Sequence, residues 1–177
     1  KERAKLIDPK RAAQQVAPGR LTATSETIYL TAADKDGNMV SLIQSNFHGW
    51  GSGYVPDGMG FCLQNRGLLF ALDPSHLNRL EPHKRPFHTI IPAFVTKAGR
   101  PVFSFGVMGG DFQPQGHVQV LMNLLDFGMS PQQAGEQPRV EHTESSSPTG
   151  TQMVGCGTVG FERGIPDDVK LKLAYMG

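Results

Sequence analysis

Thr27-Ile28-Tyr29-Leu30-Thr31-Ala32-Ala33-Asp34-Lys35-Asp36-Gly37-Asn38 is the stretch on which the reading of this chain turns. A run rich in strand-forming residues ends in an Asp-Gly turn signal, and Met39–Ser45 follows. The two runs are predicted to pair as an antiparallel hairpin with the connection at residues 34–38. A polar stretch, Thr22-Ala23-Thr24-Ser25-Glu26, leads into the first strand and is an exposed linker by composition. A hydroxyl residue at the head of a strand, directly after a segment that can be cut, has two readings. One is a β-former in an ordinary hairpin. The other is a nucleophile: cleavage between Glu26 and Thr27 frees an α-amino group, whose pKa of about 8 lets it serve as base for the hydroxyl beside it.

Upstream, Lys1–Val16 alternates basic and apolar residues in a helical manner, and the Pro18-Gly19 pair ends it. Downstream, a glycine-rich segment over 49–60 leads to a short strand predicted at Phe61–Arg66, with a loop over Leu72–Pro82. His88–Lys97 and Pro101–Val107 are predicted as a second hairpin around Ala98-Gly99-Arg100. Val118, Leu121, Met122 and Leu125 recur at helical spacing, with Gly128 at the C-cap. Ser130, Pro131 and Gln133 have the spacing of an N-cap, a first-turn proline and a capping-box partner for a second helix. Thr143–Gly150 is predicted as a loop, Thr158–Glu162 as a strand and Asp167–Met176 as a last helix. Strand pairs followed by helices make an α+β fold.

A net charge of +1 in 177 residues gives no electrostatic case for nucleic acid or an anionic membrane. No apolar run approaches the ~18 residues of a membrane span. The two cysteines, Cys62 and Cys156, fit reduced thiols of a cytosolic protein, with one disulfide as the alternative, so the compartment stays open. None of the six histidines stands in a zinc-ligand spacing, and no Gly-x-Ser-x-Gly elbow is present. The glycine cluster at Gly49–Gly53 lacks the lysine of a phosphate loop; Trp50 within it is expected in the core, and Cys62 as a buried apolar thiol in its strand.

Five blocks in order carry a family resemblance. They are the Thr27 strand with its Asp34–Asn38 turn, Gly51-Ser52-Gly53, Leu63-Gln64-Asn65-Arg66-Gly67, Pro82-His83-Lys84-Arg85-Pro86 and Gly106-Val107-Met108-Gly109-Gly110. The match runs on through Asp126-Phe127-Gly128-Met129-Ser130 to Gln137-Pro138-Arg139. From Thr27 onward the chain resembles the small subunit of the γ-glutamyltransferase family. The resemblance implies a four-layer αββα sandwich of the N-terminal nucleophile hydrolase type. Residues 1–26 then correspond to the end of the large subunit, and 27–177 to the small-subunit catalytic region, truncated at its C-terminus. Both ends are read as cuts through a larger protein.

The same resemblance assigns roles. Thr27 is the nucleophile, and Ser45 the hydroxyl that orients its amine and relays a proton, standing where the family usually has threonine. Gly109 and Gly110 match the glycine pair whose backbone N–H groups form the oxyanion hole, where no Cβ may obstruct the reacting carbonyl. Without the resemblance they are a turn between a strand and a helix. Substrate binding falls on Asn46, Arg66, His88 and Thr89. The family's acidic residue for an α-ammonium is Leu69 here, its neighbouring glutamine or glutamate is Arg66, its paired serines are His88 and Thr89, and an asparagine on the Ser45 strand is replaced by Phe47. The versions around Gln64–Gly67 and Pro86–Thr89 resemble the branch that includes cephalosporin-acylase-like members. Recognition of a carboxylate stays in place through Arg66, a planar bidentate donor.

The expectation is an amidase that acts on γ-glutamyl (glutathione-like) or glutaryl amides through an acyl-enzyme, with water or an amine as acceptor. It needs no cofactor or metal, and its protein partner is the large subunit of the same precursor. The alternative from another class is a relative that never matures and serves as a binding or structural subunit.

Overall fold

The structure is a computed structural model, and it describes residues 27–144, 149 and 157–176. The predicted Lys1–Val16 helix, the linker, Glu26, Cys156 and most of the Thr143–Gly150 loop lie outside the described residues, so the disulfide alternative does too.

The first hairpin forms as the sequence predicts. Strands β1 (Thr27–Ala33) and β2 (Met39–Ser45) pair antiparallel, from Ala33 opposite Met39 to Thr27 opposite Ser45. The Asp34 carboxylate closes the connection: Oδ1 accepts from the Asp36 and Asn38 backbone N–H groups, each at 2.9 Å, and Oδ2 accepts from Asn38 Nδ2 at 2.7 Å. Gly37 takes the left-handed conformation (φ 85°) that this turn requires. The bond from the Asn38 side chain, followed by that from its backbone, holds the Asp34 carboxyl below its usual range. Because the turn fixes the register, it also fixes which residue faces Thr27.

The second hairpin is shorter than predicted. β3 (Ala93–Lys97) and β4 (Arg100–Phe105) pair around a two-residue turn, with Ala98 at φ 51° and Gly99 at φ 77°. Positive φ at both positions matches the twist of the strands. β3 begins after Pro92, which has no N–H to give a ladder. The two hairpins meet through polar and aromatic contacts. Thr31 and Ser104 share a hydroxyl–hydroxyl hydrogen bond, and the Tyr29 ring fills the space beside Gly106, where a Cβ would come within 2.6 Å of it.

The strand predicted at Phe61–Arg66 does not form. Leu63 instead bonds into the glycine-rich loop, donating to the Tyr54 carbonyl at 2.9 Å and accepting from Ser52 N at 2.8 Å, while Arg66–Leu69 winds into a 3₁₀ turn. Gly51 (φ 67°) lies so close to the Leu63 carbonyl that no side chain fits there. Trp50 is 82% exposed rather than in the core. Cys62 is a half-buried free thiol, donating to the Trp50 carbonyl at 2.6 Å, not a buried strand residue.

Helix α1 (Gln113–Leu125) starts earlier than its apolar stripe. Val118, Met122 and Leu125 are exposed, and the side it buries carries Gln113 and Gly116. Two glutamines bind it to strand β5 (Val140–Thr143), which pairs with β6 (Thr158–Phe161). The Gln119 amide exchanges two bonds of 2.8 Å with the Val140 backbone, and the Gln115 amide does the same with His142 at 2.8 and 2.9 Å. One helical turn of four residues rises about 6 Å and two strand residues about 6.6 Å, so the spacings match and the side chains stand in for a neighbouring strand. Helix α2 (Pro131–Glu136) has the predicted capping box, with Ser130 and Gln133 bonded reciprocally. Helix α3 spans Asp167–Met176, as predicted. The described residues thus hold three two-stranded sheets and three α-helices, an α+β arrangement.

Candidate active site

Thr27 and Ser45 are cross-strand partners at the open end of the first hairpin, and Thr27 Oγ1 donates to Ser45 Oγ at 2.9 Å. Ser45 Oγ also accepts from the Phe47 backbone N–H at 3.0 Å. That bond holds Phe47 at φ 77°, a conformation costing a non-glycine residue on the order of 1–3 kcal/mol. The turn lets the next N–H, of His48, donate to Asn65 Oδ1 at 3.1 Å, and Phe47 and His48 stack with ring centres 3.9 Å apart.

The Gly109–Gly110 turn closes the other side of the same cleft, which has a volume of about 180 Å³. Gly109 has φ 135° and Gly110 φ 57°, so a residue with a Cβ is strained at either position. Three contacts hold the segment leading to this turn: Tyr29 against Gly106, buried Val107 against Gly116 of α1, and the Val107 N–H, which donates to His117 Nε2 at 3.2 Å. The His117 acceptor must be a neutral imidazole, and burial holds its pKa below the ordinary 6.5. The unfolded chain therefore binds this proton more readily than the folded one. The stabilisation is complete above the unfolded value and is lost as pH falls through the folded value. Thermal unfolding followed from about pH 8 to about pH 5 should show wild type losing more stability than His117→Gln, whose neutral amide does not titrate.

Arg66 lies on the third wall. It is 4% exposed, its Nη1 donates to buried Thr89 Oγ1 at 2.7 Å, and its guanidinium stands 5.0 Å from the centre of the Phe47 ring. Burial pushes its pKa down, yet a guanidinium stays charged at neutral pH. Among the described residues no carboxylate pairs with it. A buried cation without a counter-charge is costly, so the position calls for an anion.

The cleft brings together six of the eight sequence-predicted site residues: Thr27, Ser45, Gly109, Gly110, Arg66 and Thr89. Asn46 and His88 are not in its lining. The Asn46 carbonyl accepts from Asn65 N at 3.2 Å, and exposed His88 accepts at Nδ1 from Ile90 N at 3.2 Å. Desolvation, then the Arg66 charge, holds the His88 imidazole below its ordinary pKa. Leu69 is buried in the 3₁₀ turn, outside the lining. Gln113 lines the cleft and has no counterpart in the sequence reading. Its polarity at the start of α1 was the available signal, but the apolar periodicity that marked this helix begins later.

The family model described as Gamma-glutamyltranspeptidase matches residues 1–177. A glutathione hydrolase-like proenzyme of Bacillus subtilis, YwrD, is 48% identical over 115 residues, 65% of this chain and 22% of that protein. An oxamate amidohydrolase proenzyme of Klebsiella pneumoniae is 40% identical over 114 residues, 64% of this chain and 22% of that protein. The chain thus spans about a fifth of the length of these curated relatives. The crystal structure of a Helicobacter pylori gamma-glutamyltranspeptidase mutant superposes with a TM-score of 0.70 at 26% identity, covering 84% of this chain and 81% of that one. With a match along its whole length and neighbours of the same family in structure, this chain belongs to the gamma-glutamyltranspeptidase family.

Proposed function

We propose that the chain carries the catalytic centre of an amidase, a γ-glutamyltransferase-like acyltransferase or hydrolase with Thr27 as its N-terminal nucleophile. The observation that carries this reading is one cleft lined by the Thr27–Ser45 hydroxyl pair, the Gly109–Gly110 turn and the uncompensated Arg66. Cleavage between Glu26 and Thr27 frees the base. Thr27 Oγ then adds to the side-chain amide carbon of a γ-glutamyl or glutaryl group, and its proton passes by way of the α-amine to the departing nitrogen. Ser45 orients that amine. The N–H groups of Gly109 and Gly110 receive the oxyanion, and water or an amine releases the acyl group from Thr27. Arg66, held by Thr89, takes the carboxylate of the substrate, while Asn46 and His88 stand outside the cleft lining.

Residues 1–26 belong in this reading to the end of the large subunit, and 27–177 to the small one. The apolar stripe of α1 and the outer face of the first hairpin, with Ile28, Leu30, Val40 and Leu42 exposed, are covered by the large subunit, completing a four-layer αββα sandwich. The test is the mature protein itself: intact mass and N-terminal sequencing should find two chains, the smaller beginning at Thr27. A single uncleaved polypeptide after long incubation would favour the binding or structural subunit instead.

Substrate choice gives a further prediction. An α-ammonium in this cleft loses water and meets no carboxylate among the described lining residues, at a cost of about 1–3 kcal/mol, whereas a glutaryl group has no such charge. Matched anilides should therefore show glutaryl turnover raised over γ-glutamyl, relative to family members with the acidic residue. Leu69 is buried on the 3₁₀ turn that carries Arg66, and Leu69→Asp restores a carboxylate at the position where the family has its acidic residue. This variant should shift the ratio back toward γ-glutamyl by about tenfold or more. A wild-type γ-glutamyl preference left unchanged by Leu69→Asp would remove position 69 from recognition.

A further inference from the structure

Gln113, the first residue of α1, is 3% exposed and lines the cleft together with Thr27, Ser45, Gly109 and Gly110. Its backbone N–H donates to the Gly110 carbonyl, and its side-chain Nε2 donates to the same oxygen at 3.3 Å. That oxygen only accepts, so the NH₂ end of the carboxamide must face it, and the position of Oε1 at the other end follows. Oε1 is buried and, among the described residues, has no hydrogen-bond partner. A buried carbonyl oxygen left unpaired is destabilising, and in a native protein it points to a donor that is absent until something binds.

The same turn thus offers two complementary groups. The N–H groups of Gly109 and Gly110 suit the oxygen of an amide, and the Gln113 carbonyl suits its N–H. We propose that Gln113 Oε1 accepts the scissile N–H of the substrate and so makes the site selective for amides over esters of the same acid. This rests on the reading of Thr27 as nucleophile. The 3.3 Å bond from Nε2 is long and the last side-chain torsion is soft, so the carboxamide is free to adjust to an N–H bound in the cleft it lines. When Thr27 Oγ bonds to the carbonyl carbon, the nitrogen loses its conjugation and becomes pyramidal. A hydrogen bond from its N–H to Gln113 directs the new lone pair away from Gln113, towards the Thr27 amine that returns the proton. The C–N bond then breaks, and the nitrogen leaves as a neutral amine carrying the proton that was on Thr27. The acceptor is a neutral carboxamide, which suits a neutral amide N–H and adds no charge beside the oxyanion.

The test compares glutaryl p-nitroanilide with the matched p-nitrophenyl ester, in the complete mature protein, for wild type, Gln113→Leu and Gln113→Met. Maturation and thermal unfolding confirm that each variant is folded, and Gln113→Met, of similar length, carries the comparison if Gln113→Leu does not fold. The value to read is kcat/KM, which reports acylation. The expected result is a loss of about tenfold or more on the anilide, with the ester unchanged within about twofold. An equal loss on both substrates would make Gln113 a support of the glycine turn and overturn the proposal, as would no loss on either. Thr27→Ala run alongside separates the two readings: if it still hydrolyses both substrates, the nucleophile assignment fails, and the proposal with it.

Discussion

Thr27→Ala in the complete protein should leave one unprocessed chain and reduce amide turnover by roughly four orders of magnitude or more, as removal of a covalent nucleophile does elsewhere. Two losses combine. The hydroxyl that donates to Ser45 at 2.9 Å is the group that would attack the peptide bond preceding residue 27 during maturation. It is also the group that would attack the substrate afterwards. Without the first step, the α-amine that would serve as base in the proposed mechanism is never freed. Thr27→Ser separates the two contributions, because it keeps the oxygen and loses only a methyl group from a half-buried position; it should process and retain activity. Intact mass reports the first step and anilide kinetics the second. Normal cleavage of Thr27→Ala would place the nucleophile at another residue.

Gly110→Val should cost about two orders of magnitude or more in turnover, the size of effect seen when one oxyanion donor is removed. The reason is in the backbone and not in crowding. A Cβ at Gly110 meets nothing within 4 Å, but φ 57° is a conformation that a β-branched residue adopts only under strain. Relaxing that strain turns the peptide planes on either side and would take the Gly109 and Gly110 N–H groups out of line with the oxyanion we propose they receive. Gly110→Ala should lose less, because alanine tolerates this region better than valine. Processing and thermal stability serve as controls, since the carbonyl of the same residue accepts two bonds from Gln113 and the turn contributes to folding. Unchanged turnover in a processed Gly110→Val protein would reduce the glycine pair to a turn between β4 and α1.

The legible parts of this fold are those whose causes lie within a few residues. The Asp34–Asn38 turn names its own hydrogen bonds, and the Ser130-Pro131-x-Gln133 spacing specifies a reciprocal cap; both form as expected. The failures have physical reasons as well. Phe61–Arg66 has strand-like composition, but the left-handed glycines opposite it turn that segment, and Leu63 bonds to the Ser52 N–H and the Tyr54 carbonyl among them instead of to a ladder. The apolar period of α1 marks a helix correctly, while among the described residues its stripe is exposed. Among the side chains that attach α1 to the rest of the described residues are Gln115, His117 and Gln119, polar residues that carry no hydrophobic signal.

The sequence by itself determined the hairpin and its register, and therefore that Thr27 stands opposite Ser45, because a turn closed by one aspartate leaves the two strands a single in-register pairing. It determined the glycine pair in its order, and with that the family. Tertiary structure alone decided what shares the cleft. Arg66 is drawn under Phe47 and onto Thr89, Leu69 turns into the interior, and Gln113 sets its NH₂ against the glycine turn and leaves its carbonyl oxygen without a partner among the described residues. These meetings join segments far apart in the chain. Local pattern records the conformation of each segment, but packing decides which buried polar groups find partners and which are left for a substrate to satisfy.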